Sequence, residues 1–150
     1  MKHLFFALFT FLLLTACTAS ASPLENSERL WQNQNIQSYR IEVLVVNSIW
    51  HAQTHTITVQ HDEVMEADAA CIPAPFENGV CQANPFVAED FTVPGLFAKA
   101  RAVSEELDPS HITIEFDPTY HFPASISFDD PDIIDEDWSW RVTSFEVLAP

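Results

Sequence analysis

Apolar and polar positions alternate along this chain in three distinct rhythms. Residues 4–14 are almost uninterrupted hydrophobic side chains. From residue 26 the spacing becomes helical. Asn26 or Ser27 serves as the cap, Leu30 and Trp31 form the apolar side, and the helix ends near Asn35. Residues 38–46 then change to a period of two. Tyr39, Ile41, Val43 and Val45 face one way, while Arg40 and Glu42 fall on the other side, the signature of a half-buried strand. Asn47-Ser48 turns the chain. Residues 51–60, rich in Thr, Ile and Val, predict a second strand, and His61-Asp62 a tight connection into a third over 64–67.

Residues 68–91 carry the breakers Pro73, Pro75, Gly79 and Pro85 and predict irregular structure. A second helix begins at Thr92, whose hydroxyl can cap it, with Pro94 tolerated in its first turn. Leu96, Phe97, Ala100, Val103 and Leu107 form its buried stripe; Lys99, Arg101, Glu105 and Glu106 lie on the wet side, and Asp108-Pro109 stops it. Ile112, Ile114 and Phe116 alternate with Thr113 and Glu115. After a turn at 117–121, Phe122, Ala124, Ile126 and Phe128 alternate with serines. Trp138, Trp140 and Val142 share one parity, and Phe145 and Val147 the other. A bulge near Thr143-Ser144 brings both sets to the core side. The order helix, three strands, helix, three strands predicts an α+β fold, an antiparallel sheet with its helices on one face.

The leading apolar run changes the expected location. Lys2 and His3 precede it, and its eleven residues are too few to span a bilayer stably. Leu14-Thr15-Ala16-Cys17 closes it with small residues leading into a cysteine. This resembles the lipobox of bacterial lipoprotein precursors. The resemblance implies a signal peptide over 1–16, a diacylglyceryl group on Cys17 and acylation, such as palmitate, of the new amino terminus. Residues 17–24 then form the lipidated cysteine and a short tether, and 25–150 a single domain. Two or three acyl chains, at roughly 0.8 kcal/mol per buried methylene, anchor a protein firmly to a lipid membrane. The competing reading is an ordinary leader cleaved at the Ala19-Ser20-Ala21 pattern. With the lipobox reading, the domain is expected in the cell envelope, lipid-anchored and facing the periplasm or the exterior.

Charge and cysteines narrow the partners. Loss of Lys2 with the leader leaves five basic residues against 22 acidic ones, a mature formal charge of −17. Such a surface repels nucleic acid and favours cationic ligands, divalent metals or a basic protein partner, besides keeping the domain soluble. Cys71 and Cys81 remain. In an oxidising compartment they read as a disulfide stapling a loop rich in turn formers, a spacing wider than that of redox-active pairs.

Candidate chemistry is sparse. Asp129, Asp130, Asp132, Asp135, Glu136 and Asp137 place six carboxylates within nine residues, enough oxygen for Ca²⁺, though without EF-hand spacing or its glycine. A solvated acidic loop is the plainer reading. His51, His55 and His61 share one strand parity, but His51 and His55 fall about 13 Å apart on an ideal strand, too far for one zinc. They read as histidines at the edge of the core. Trp138, Trp140, Phe145, Phe116 and Phe128 read as core rather than as a ligand platform. No G-x-S-x-G, H-E-x-x-H or P-loop pattern occurs, and with two glycines phosphate-cradling loops are not expected.

Trp31, Asn35, Ile36, Ser38 and Tyr39 resemble the W…N-I-x-S-Y opening of a family of small exported bacterial proteins with a domain of unknown function. Thr92-Val93 with Leu96-Phe97 is similar to its T-V-x-x-L-F helix start, and Asp117, Tyr120 and Pro123 to its Y-D-x-x-Y-G-Y-P turn. Asp135-Glu136-Asp137 and Val142-Thr143-Ser144-Phe145 resemble its acidic loop and last strand. Phe116 stands where that pattern has tyrosine and His121 where it has glycine, which implies a positive φ that histidine adopts at some cost. The resemblance implies fold and export but no mechanism. The expected role is binding or structural, without catalysis. The alternatives are a calcium-dependent module built on the 129–137 loop and an inhibitor presenting the 71–81 loop.

Overall fold

The computed structural model describes residues 21–47, 51–73, 81–133 and 137–149. Residues 1–20, which hold the expected leader and Cys17, and residues 48–50, 74–80, 134–136 and 150 lie outside it. Among the described residues no helix is long and apolar enough to cross a membrane. The chain runs α1 (Pro23–Asn33), β1 (Tyr39–Val46), β2 (Ala52–Gln60), β3 (Glu63–Ile72), α2 (Val93–Glu106), β4 (Ile112–Phe116), β5 (Pro123–Phe128) and β6 (Trp138–Val147). The six strands form one antiparallel sheet in the order β3-β2-β1-β6-β5-β4. The expected α+β class and element order are therefore present.

Two boundaries differ from expectation. Ser22, rather than Asn26 or Ser27, caps α1. Its hydroxyl accepts from Glu25 N–H, and the Glu25 carboxylate accepts from Ser22 N–H at 2.7 Å. This reciprocal capping box, with Pro23 in the first turn, is a stronger start than either later residue offers. Pro23 and Leu24, expected in the tether, thus belong to the helix. The third strand runs to Ile72 rather than Ala67, because β2 is long enough to pair with it throughout.

The hairpin and bulge chemistry follows the expected logic. His61 and Asp62 both have positive φ, 53° and 65°. That is the conformation a two-residue hairpin connection requires, here without glycine. Gln37 O accepts from Asp62 N–H and Ser38 Oγ from His61 N–H, which holds the strained turn in place. Between β1 and β6, Glu42 pairs with Ser144 and Val43 with Val142. Thr143 is the extra residue, and the bulge stands where the parity change required it. His121 has φ 65°, matching the glycine of the family pattern.

Tyr39, Ile41, Val43, Val45, Ile57 and Val59 turn to the helix side of the sheet and share one core cluster with Leu96 and Phe97 of α2, while Ala100 and Val103 form a second cluster with Ile126 of β5. Trp31 of α1 packs edge-on to Tyr39, Phe122 and Phe145 at 5.9–6.0 Å. The Tyr39 hydroxyl accepts from Val93 N–H at 3.1 Å, satisfying an orphan donor at the start of α2. Gly95 is required by close approach. A Cβ there would collide with the Glu89 carbonyl, because the 3-10 turn Ala88–Phe91 folds tightly over the helix start.

Candidate functional site: a pocket at the strand ends

The helices do not cover the whole inner face of the sheet. Beyond α2, where β1 ends and β2 and β6 begin, lies an open pocket of about 520 Å³. Strand pairing explains its composition. Gln53, Val45 and Trp140 are opposite one another across β2, β1 and β6, so their side chains emerge in one row on the inner face. His51 and His55 flank Gln53 on the same side of β2, and Trp138 flanks Trp140 on β6.

The far wall comes from the segment after the disulfide. Cys71 pairs across the sheet with Gln53, and its bond to Cys81 (Cα–Cα 5.9 Å) brings the chain back over the pocket. Gln53, only 3% exposed, then clamps that chain through both ends of its amide. Its Nε2 donates to Asn84 O at 3.1 Å, and its Oε1 accepts from Asn84 N–H at 2.7 Å. The Asn84 side-chain Nδ2 lies 3.0 Å from His51 Nε2. Phe86, Val87 and Phe91 complete the wall, with Val87 exposed at the rim.

His55 is the most perturbed group in the site. It is 3% exposed and lies face to face with Phe91 at 3.6 Å, with Phe86 edge-on at 4.7 Å. Its Nδ1 is buried and has no hydrogen-bond partner. Burial, and secondarily the neighbouring His51, pushes its pKa down from the ordinary value to about 4. His55 is therefore a neutral aromatic ring near pH 7. Phe91 stacks in turn on Trp140 at 4.7 Å. The Lys99 ammonium of α2 sits over two indoles, 4.7 Å from the Trp138 ring centre and 5.2 Å from that of Trp140. Asp90 supplies a carboxylate to the lining, and Asn47 an amide. Among the described residues the lining holds no serine, threonine or cysteine. The chemistry it offers is recognition by flat aromatic faces with a few polar groups at their edges.

The residues singled out from sequence distribute unevenly around this site. His51 and His55 line the pocket, whereas His61 sits in the exposed hairpin turn and takes no part. Of the aromatic group, Trp138 and Trp140 line the pocket; Phe116 and Phe145 pack on the core, and Phe128 stacks on Trp138. Asp130 accepts from Asp132 N–H and approaches His111 Nδ1 at 3.5 Å. Asp129 and Asp137 border a shallow surface cleft, and Asp135 and Glu136 lie outside the described residues. Among the described residues no three His, Cys, Asp or Glu side chains are placed to hold a metal ion. The interior of the 71–81 loop, residues 74–80, also lies outside. Sequence reading missed Gln53, Asn84, Asp90 and Lys99. Gln53 did carry a signal, a polar residue on the apolar parity of a strand.

The motifs that carried the resemblance converge elsewhere. Trp31 and Tyr39 meet the start of α2 at Thr92-Val93, and Asp117 forms the turn that delivers Tyr120 and Phe122 to the same aromatic cluster. A family model described as a family of unknown function (DUF6174) matches residues 23–147. The chain belongs to this family. No curated protein and no solved structure matches it. The DUF6174 match begins at the first residue of α1 and ends at the last residue of β6, so it covers the whole folded unit. Trp31, Tyr39, Val93, Leu96 and Phe97 of the recognised DUF6174 motifs belong to the core, and the pocket is lined by residues between the motifs.

Proposed function

We propose that the chain is an envelope lipoprotein that binds a small molecule in the pocket at the strand ends. In this reading acyl chains on Cys17 hold the acidic domain at a lipid surface outside the cytoplasm, and the pocket does the recognition without catalysis. The observation that carries it is the concentration of Phe86, Phe91, Trp138 and Trp140 around an open space of about 520 Å³. That volume lies in the range of small-molecule sites, and aromatic walls with a few polar edge groups are their usual lining. The disulfide and the Gln53 clamp support it further, since they preorganise the wall that carries Phe86.

Two measurements test the reading. Fatty-acid labelling of the full-length protein should mark the wild type and not Cys17→Ser, which should be recovered in the soluble fraction. Tryptophan fluorescence of the mature domain should respond saturably to a compound in a panel of neutral sugars, organic anions and organic cations. Gln53→Ala, which frees the wall, should weaken that response. A domain whose indoles respond to nothing in the panel refutes the binding role, and an unlabelled wild type refutes the anchor.

A further inference from the structure

The placement of Lys99 points to the class of ligand. The chain carries 22 carboxylates and six basic residues, so a surface lysine has abundant anionic neighbours to choose from. Arg101, two residues further along α2, takes such a partner, Glu28, at 2.6 Å. Among the described residues Lys99 makes no ion pair; its ammonium sits over the faces of Trp138 and Trp140 instead. An indole face is the strongest aromatic acceptor for a cation, and two faces around one charge form a partial cage. Asp90 lines the same pocket and adds negative potential to it.

We infer that the Trp138–Trp140 slot is a binding site for a small alkylammonium cation, and that Lys99 is its built-in occupant, displaced when the ligand enters. This rests on the proposed binding role of the pocket and names its ligand chemistry. Lysine is a weak plug. Its ammonium is strongly hydrated, and holding it costs side-chain entropy. A quaternary ammonium carries the same charge on a larger, poorly hydrated group, so it gains more from aromatic faces than lysine does. The mature charge of −17 further concentrates cations at the surface and repels anions.

The experiment uses the mature domain with choline as the probe, glucose and benzoate as neutral and anionic controls, and indole fluorescence with calorimetry as readouts. Choline should bind saturably, and the controls should not. Lys99→Ala removes the occupant from a half-buried helical position, where alanine keeps the helix propensity, and should tighten choline binding roughly tenfold. Arg101→Gln removes one positive charge from the same helix outside the slot and should leave affinity within about twofold. Asp90→Asn should weaken binding a few-fold. Phosphatidylcholine vesicles offered to the same domain distinguish a lipid headgroup from a free cation: binding that choline competes away assigns the headgroup, and no vesicle binding assigns the soluble ligand. Absence of choline binding in both wild type and Lys99→Ala overturns the inference. So does benzoate binding that Lys99→Ala abolishes, although that result would leave the pocket's binding role standing.

Discussion

Acid should destabilise this domain through one imidazole. His55 is buried against Phe91 and Phe86 with an unpartnered Nδ1, and its pKa is lowered to about 4 by burial and by His51. In the unfolded chain a histidine titrates near 6.5. The unfolded state therefore binds the proton more tightly, and its share of stability is complete above about pH 6.5. That share drains as pH falls and levels off below about pH 4. Between pH 7 and pH 4.5 the loss amounts to about 2.5 kcal/mol, a large fraction of the stability of a domain this size. Urea unfolding of the mature domain at half-unit pH steps, followed by indole fluorescence, reads this directly. Stopping at pH 4.5 limits interference from carboxylates such as Glu25 and Asp108. Both are held below the ordinary range, Glu25 chiefly by the Ser22 backbone N–H and Asp108 chiefly by that of Ser110. His55→Phe keeps a ring in the stack without a titratable nitrogen, so its profile over the same window should be nearly flat. Parallel wild-type and His55→Phe profiles would refute the argument, as would a His55 imidazole titrating near 6.5 by NMR.

Three further outcomes follow from the packing. Gly95→Ala forces a Cβ into the Glu89 carbonyl and should cost about 1–3 kcal/mol by overpacking, seen as a lower melting temperature despite alanine's better helix propensity. Tyr39→Phe leaves Val93 N–H buried without its acceptor and should cost about 1–3 kcal/mol in urea unfolding; an unchanged midpoint would mean that another group takes its place. Cys71→Ser with Cys81→Ser should lower stability by about 3 kcal/mol on the loop-entropy estimate. Amide exchange should then rise at Asn84 more than in β6, because the staple acts on the pocket wall.

Most of the scaffold was legible along the chain because it depends on local periodicity. The two-residue alternation of Tyr39, Ile41, Val43 and Val45 has one sensible burial, and Thr92 before an apolar stripe has one sensible cap. The parity break between Val142 and Phe145 demanded an extra residue, and Thr143 is that residue. Errors of boundary arose where two local signals competed. Ser22 and Glu25 outbid Asn26 because a reciprocal pair of bonds exceeds a single one.

The pocket is a different matter. Gln53 and Asn84, and likewise Lys99 and Trp138, stand more than thirty positions apart, and nothing in their own neighbourhoods says that they meet. Lys99 reads from sequence as an ordinary wet-face residue, and only the tertiary arrangement lays it across two indoles. The chain by itself determined its elements, their order, the Thr92 cap of α2 and the resemblance of its first residues to an export signal, since these depend on contacts within a few residues. Which side chains share a cavity depends on strand register and on where α2 stops covering the sheet. Those are properties of long-range packing, and only the folded structure decides them.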